Sequence, residues 1–168
     1  AVAMAAPTAQ AEARDEGARK EAAAPRANPT SLPEKAARFA SMTRAPASLT
    51  ELREMQTHIR TLLEKIRTAT VAFAGGSGVI INKEGYILTV AHVGQRAGRR
   101  LSIMLSDGRR VRGVTLGNDA GLDAGLAKIT ESAPEGGAGG EGGWPHVELG
   151  NSSELKPGQW CLAVGYPV

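Results

Sequence analysis

The sequence predicts an all-β fold, an antiparallel barrel or sandwich, preceded by one α-helix and a disordered N-terminal tail. Three observations carry this expectation. From Thr70 onward, short apolar runs alternate with polar residues and are separated by Gly, Asn and Asp turn signals. No strand–helix–strand alternation appears there, which argues against a parallel α/β sheet. Just upstream the period changes, because Leu52, Met55, Ile59, Leu62 and Ile66 recur at intervals of 3, 4, 3 and 4, the stripe of an amphipathic helix.

Residues 1–46 are rich in Ala and Pro with mixed charge and almost no large apolar side chains. Such a segment buries too little surface to offset its ordering entropy, so it is expected to be disordered. The opening "AVAMAAPTAQAEA" contains small-x-small patterns of the kind that precede secretory cleavage sites. A signal-peptide remnant and a plain alanine-rich tail both remain open at this point. Export to a periplasmic or extracellular compartment is the working expectation.

Residues 47–69 are assigned to the helix, with its body over about 48–67. Ser48 followed by Glu51, just after Pro46, fits a capping box. The stripe is barely two heptads long, so packing on the following domain is favoured over an oligomeric coil; a homo-oligomer stays as the alternative. His58 lies beside the stripe and reads as a surface residue.

In residues 70–168, "TVAFAG" and "GSGVIINKEGYILTVAHV" read as strand, strand, turn and strand, with Asn82-Lys83-Glu84-Gly85 as a hairpin connection. "RLSIMLSDGRRVRGVTLG" is a second hairpin turning at Asp107-Gly108, followed by a polar loop over Thr115 to Gly121 and a strand in "DAGLAKIT". "ESAPEGGAGGEGG" reads as a flexible surface insertion. A short strand, a turn and a final apolar strand then complete "WPHVELGNSSELKPGQWCLAVGYPV". "AGGSGV" lies between two strands with no helix start to cradle a phosphate, so it is a tight turn.

Composition excludes several classes of function. A net charge of +3 implies no nucleic-acid partner, and the pairs Arg99-Arg100 and Arg109-Arg110, with Arg112, flank strands as solvated hairpin faces do. The single cysteine, Cys161, excludes an intrachain disulfide and reads as a buried thiol acting as a small hydrophobe. No apolar run is long enough to span a membrane. There is no H-E-x-x-H, no Cys/His cluster with metal-ligand spacing and no G-x-x-x-x-G-K-[ST], so no metal or cofactor is implied.

That leaves His92, at the end of the apolar run "GYILTVAHVG", which by itself is most simply a structural histidine. Its context alters that reading. "GSGVIINKEGYILTVAHV" resembles the trypsin-like serine proteases, nearest the HtrA/DegP branch, whose catalytic histidine sits in a Gly-Ser-Gly strand, a hairpin and then Y-[IV]-L-T-x-x-H-V. The likeness continues through "VTLGNDAGLDAGLAKI", similar to the block carrying the catalytic aspartate, and through "ELGNSSELKPGQWCLAVGYPV", similar to the segment entering the second barrel. It covers about residues 68–168 in matching order.

The resemblance implies a chymotrypsin/trypsin-like fold, with residues 70–168 as the first barrel plus the start of the second. It implies a serine endopeptidase acting on protein or peptide substrates without a cofactor, with His92 as base and Asp123 as the aspartate that orients it. Asp119 is the rival carboxylate, but a Gly-Asn-Asp turn explains it by Asx chemistry. Gly125 departs from the family, which carries a larger apolar residue two places after the aspartate. "GNSSEL" lacks the glycines that follow a catalytic serine, so Ser152 and Ser153 are read as turn residues. The nucleophile is expected roughly 75–85 residues beyond Asp123, outside this chain. The piece alone is then expected to be inactive. The alternative is a non-catalytic protease-like barrel serving as a protein-binding module.

Overall fold

A computed structural model describes residues 39, 41–73, 75–94, 96–135 and 142–166. All of them lie in the second of the two units into which the chain divides, Leu32–Val168. Helix α1 (Leu49–Ala69) starts at Ser48, whose side chain accepts from the Glu51 N–H at 3.1 Å. The Glu51 carboxylate does not close the capping box onto Ser48. It accepts from the Ala47 N–H at 2.7 Å and holds the Arg44 guanidinium in a fork at 2.8 and 2.9 Å, a geometry suited to Arg.

The helix stripe is less covered than its periodicity implies. Met55 is buried and packs with Phe39 and Met42, with Ile59 against them, whereas Leu52 is half exposed. The described end of the segment expected to be disordered is therefore tied down by two apolar anchors. The rest of that segment, including the whole of 1–38, lies outside the described residues. His58, expected at the surface, is half-buried and stacks on Phe39 with ring centroids 5.6 Å apart.

Six strands follow: β1 (Thr70–Phe73), β2 (Gly76–Ile80), β3 (Tyr86–Thr89), β4 (Arg100–Met104), β5 (Arg110–Asp119) and β6 (Ala124–Ile129). They close into an antiparallel barrel in the order β1-β2-β3-β6-β5-β4, the all-β fold the sequence predicts. Closure comes from the pairing of Ala72 with Met104 between β1 and β4. Alternation does the sorting: on β5, Val111, Gly113 and Thr115 point inward while Arg110 and Arg112 point out. Val71, Ile80, Ile87 and Ile103 are fully buried at the centre, with Phe73, Ile129 and Trp144 around them, each aliphatic contributing about 1.5–3 kcal/mol relative to exposure.

Several expected elements differ. The stretch Thr115 to Gly121, read as a loop, is strand as far as Asp119, because a bulge between Thr115 and Gly117 absorbs the irregularity and lets the ladder continue. The two C-terminal strands expected after the glycine-rich insertion are not strands in the described residues. The first keeps only isolated backbone bonds, from Trp144 N–H to Lys83 and from Val147 N–H to Ile80. The second, 159–165, pairs with no strand among the described residues. Cys161, expected to be buried, is exposed, because its segment joins no sheet that would cover it among the described residues. Much of the insertion itself, 136–141, lies outside the described residues.

Candidate active site

The site is built at one end of the barrel by two turns, the one that follows β3 and the one that joins β5 to β6, and the β2–β3 hairpin at the opposite end sets the register. Gly85, at φ +81°, closes the β2–β3 hairpin with its N–H on the Asn82 carbonyl at 3.1 Å, and the Asn82 side chain accepts from the Tyr86 N–H at 3.0 Å. That hairpin sets the register of β3, whose last residue, the buried Thr89, donates its hydroxyl to the Ser77 carbonyl at 2.8 Å. Beyond it a single helical turn, α2 (Ala91–Gly94), buries Ala91 and Val93 and leaves His92 pointing outward.

The second turn joins β5 to β6. Asp119 Oδ1 accepts from the Gly121 and Leu122 N–H groups at 2.8 and 3.2 Å, so this carboxylate is engaged in shaping its own turn. Asp123 then adopts φ +46°, the left-handed region that Asp tolerates better than most residues. In that conformation Asp123 Oδ1 accepts from the Ala91 N–H at 3.0 Å and lies 3.3 Å from His92 Nδ1.

Asn118 completes the arrangement by donating its side-chain amide to the Ala91 carbonyl at 2.8 Å. Both polar groups of the Ala91 backbone are thus held by side chains from the β5–β6 side. No sequence motif marks Asn118; the signal for it is its place beside Asp119 at the end of β5. In the tautomer that directs Nδ1–H at Asp123, the other ring nitrogen of His92 carries the lone pair. The two side chains are 71% and 59% exposed, so in this state the pair is screened by water and weakly coupled.

The remaining candidates lie elsewhere. Ser152 and Ser153 occupy a single 3₁₀ turn (Ser152–Glu154) whose N-terminal cap is Asn151; Asn151 Oδ1 accepts from the Ser153 N–H and hydroxyl. The third histidine, His146, is no part of this site and has Nδ1 2.9 Å from the Trp144 carbonyl. Gly125 is buried in β6 opposite Thr89. Among the described residues no group of three or more His, Cys, Asp or Glu side chains is disposed to hold a metal ion, and no helix is long and apolar enough to cross a membrane.

Comparison with known proteins gives a consistent set of relatives. The family described as "Trypsin-like peptidase domain" matches residues 76–168. A protease Do-like 14 of Arabidopsis thaliana is 38% identical over 100 residues, covering 55% of this chain and 21% of that protein. A periplasmic DegP-like serine endoprotease of Halomonas elongata is 37% identical over 92 residues, covering 55% and 17%. The serine protease HhoA of a Synechocystis strain is 42% identical over 93 residues, covering 55% and 21%. The chain spans about a fifth of the length of these curated relatives.

Proposed function

The chain belongs to the trypsin-like peptidase domain family, and from that premise we propose that it supplies the base and the orienting acid of a serine endopeptidase of HtrA/DegP type. His92 is the base and Asp123 the acid; the nucleophilic serine lies in polypeptide beyond Val168. His92 takes the serine hydroxyl proton as the oxygen attacks a peptide carbonyl, and Asp123 stabilises the imidazolium that results. The same imidazolium returns the proton to the departing amine, leaving an acyl-enzyme that water resolves. The substrates are proteins or peptides. The observation that carries the reading is the 3.3 Å approach of His92 Nδ1 to Asp123 Oδ1 across 31 residues of sequence, in two turns held together at Ala91.

The exposure of the pair sets a requirement. Polypeptide beyond Val168 has to cover His92 and Asp123, because a charge pair in water interacts several-fold more weakly than one shielded from it. In this reading residues 70–129 form the first barrel and the segment after the glycine-rich insertion leads into a second. Relatives named as periplasmic support export of this protein as well.

A second reading, a non-catalytic barrel that binds proteins, draws on the exposed Leu122, Trp160 and Leu162. The two readings separate on a polypeptide that continues past Val168. A fluorophosphonate probe is expected to label one serine there. His92→Ala and Asp123→Asn each slow that labelling by about a thousandfold. Labelling that is absent, or undiminished in His92→Ala, refutes the triad.

A further inference from the structure

The strand pairing gathers arginines on one outer face. Along β4 and β5, Ser102 is opposite Arg112 and Met104 opposite Arg110, with Arg100 one pair further on, opposite Val114. The residues between them, Ile103, Val111, Gly113 and Thr115, are buried, so Arg100, Arg110 and Arg112 share the outward face. The loop entering β4 extends this face. Thr115, 1% exposed, donates its hydroxyl to the Arg96 carbonyl and accepts from the Arg99 N–H at 3.0 Å. The Gly98 N–H reaches the Thr115 carbonyl at 2.8 Å. Arg96 and Arg99 therefore sit on a ledge fastened to the barrel wall, and both are exposed.

The charge on this face is only partly neutralised. Arg109 pairs with Asp107 and Arg112 with Glu131, and the N–H groups of each arginine hold its partner carboxyl below the usual carboxylate range. Arg96, Arg99, Arg100 and Arg110 have no carboxylate partner among the described residues. The ledge also begins near His92: Arg96 is four positions further along the chain, at most about 14 Å away.

We propose that the outer face of the β4–β5 hairpin, with Arg96 and Arg99 at its head, docks extended acidic polypeptide segments. Arg100 and the position facing Arg110 are four residues apart on β4, about 13 Å along a strand. That spacing matches carboxylates four residues apart on an extended peptide, with room for one between. The guanidinium fork engages carboxylates two bonds at a time. Nucleic acid is the less suited polyanion, since the neighbours on the β4–β5 face are Ser102, Met104 and Val114, and the aromatic ring further along the same side, Tyr86 on β3, is already covered by the Lys128 ammonium at 4.5 Å. The proposal rests on the peptidase reading in one respect only, that the client is a polypeptide. It adds a preference for clients with acidic stretches near the bond presented to His92.

The test is fluorescence anisotropy on the 168-residue chain, with labelled, unstructured peptides of equal length carrying Asp or Glu at alternate positions, Gln in their place, or Lys in their place. The acidic peptide is expected to bind at least about tenfold more tightly than the other two. Its affinity is expected to fall several-fold between about 0.05 and about 0.3 M salt. Arg99→Glu with Arg100→Glu is expected to lower affinity about tenfold or more, and Arg99→Lys with Arg100→Lys to retain most of it. Arg53→Glu with Arg60→Glu on α1 removes the same charge elsewhere and is expected to change little. Equal binding of acidic and Gln peptides, equal loss in the two charge-reversed variants, or tighter binding of a single-stranded oligonucleotide of matched charge would overturn the proposal. Binding at the ledge does not pass through His92 and Asp123, so its failure leaves the hydrolytic reading standing.

Discussion

Replacing Gly85 by Ala tests how the hairpin that launches β3 is held. The backbone there is at φ +81°, which costs an L-residue about 1–2 kcal/mol. A Cβ at this position would also lie 2.7 Å from Trp144 Cδ1, 3.1 Å from Trp144 Nε1 and 3.2 Å from Ile129 Cβ. Trp144 is 4% exposed and belongs to the main core, so it has little room to retreat, and overpacking of this kind costs about 1–3 kcal/mol. The expected loss is about 2–5 kcal/mol in all. Gly108 supplies the internal reference: its φ is +85° and nothing lies within 4 Å of its added Cβ, so Gly108→Ala carries the conformational cost alone. Urea unfolding followed by circular dichroism measures both. In a Trp144→Leu background, the additional cost of Gly85→Ala is expected to shrink toward the Gly108 value. Equal losses for the two glycines, or a Gly85→Ala loss that persists undiminished beside Leu at 144, would refute the packing argument.

Two further outcomes follow from the same structure. Asn118→Ala strips the Ala91 carbonyl of its side-chain donor, with an expected loss of about 1 kcal/mol and a change in the ¹⁵N shift of His92 Nδ1 as α2 loosens; an unchanged imidazole spectrum argues against Asn118 as a positioning residue. Glu131 is held below its ordinary carboxyl value first by the Arg112 backbone N–H and then by its guanidinium. Its contribution to stability is therefore present above that ordinary value and fades as pH falls through the lower folded-state value. Glu131→Gln is expected to flatten this acid limb in melts run between about pH 3 and pH 6, and an identical pH profile would show the contact to be idle.

Much of the architecture was readable in the chain. Strand alternation, the Asn82–Gly85 and Asp107–Gly108 turns and the helix start at Ser48 are local properties, dictated by side-chain period and by the backbone freedom of a few residues. Where structure and sequence differ, the cause lies beyond local pattern. A polar, glycine-bearing stretch reads as loop whether it leaves the sheet or bulges within it, and only the pairing of Gly117 with Leu126 distinguishes the two. The apolar run around Cys161 alternates like a strand, yet a strand exists only where a partner edge is free to accept it. The stripe on α1 indicated an apolar face without saying that Phe39 and Met42, ten or more residues upstream, would cover part of it.

For the site, a resemblance of motifs singled out His92 and Asp123 but carried no distance between them. Their approach depends on β3 and β6 being neighbours in a barrel whose strand order departs from sequence order, on the bulge in β5 and on the left-handed backbone at Asp123. Asn118 has no local signature because it holds a peptide group contributed by α2, 27 residues away in sequence. Periods, turns and residue chemistry act over a few residues and are written in the chain; the meeting of an imidazole and a carboxylate 31 residues apart is set by long-range strand pairing, which no local pattern encodes.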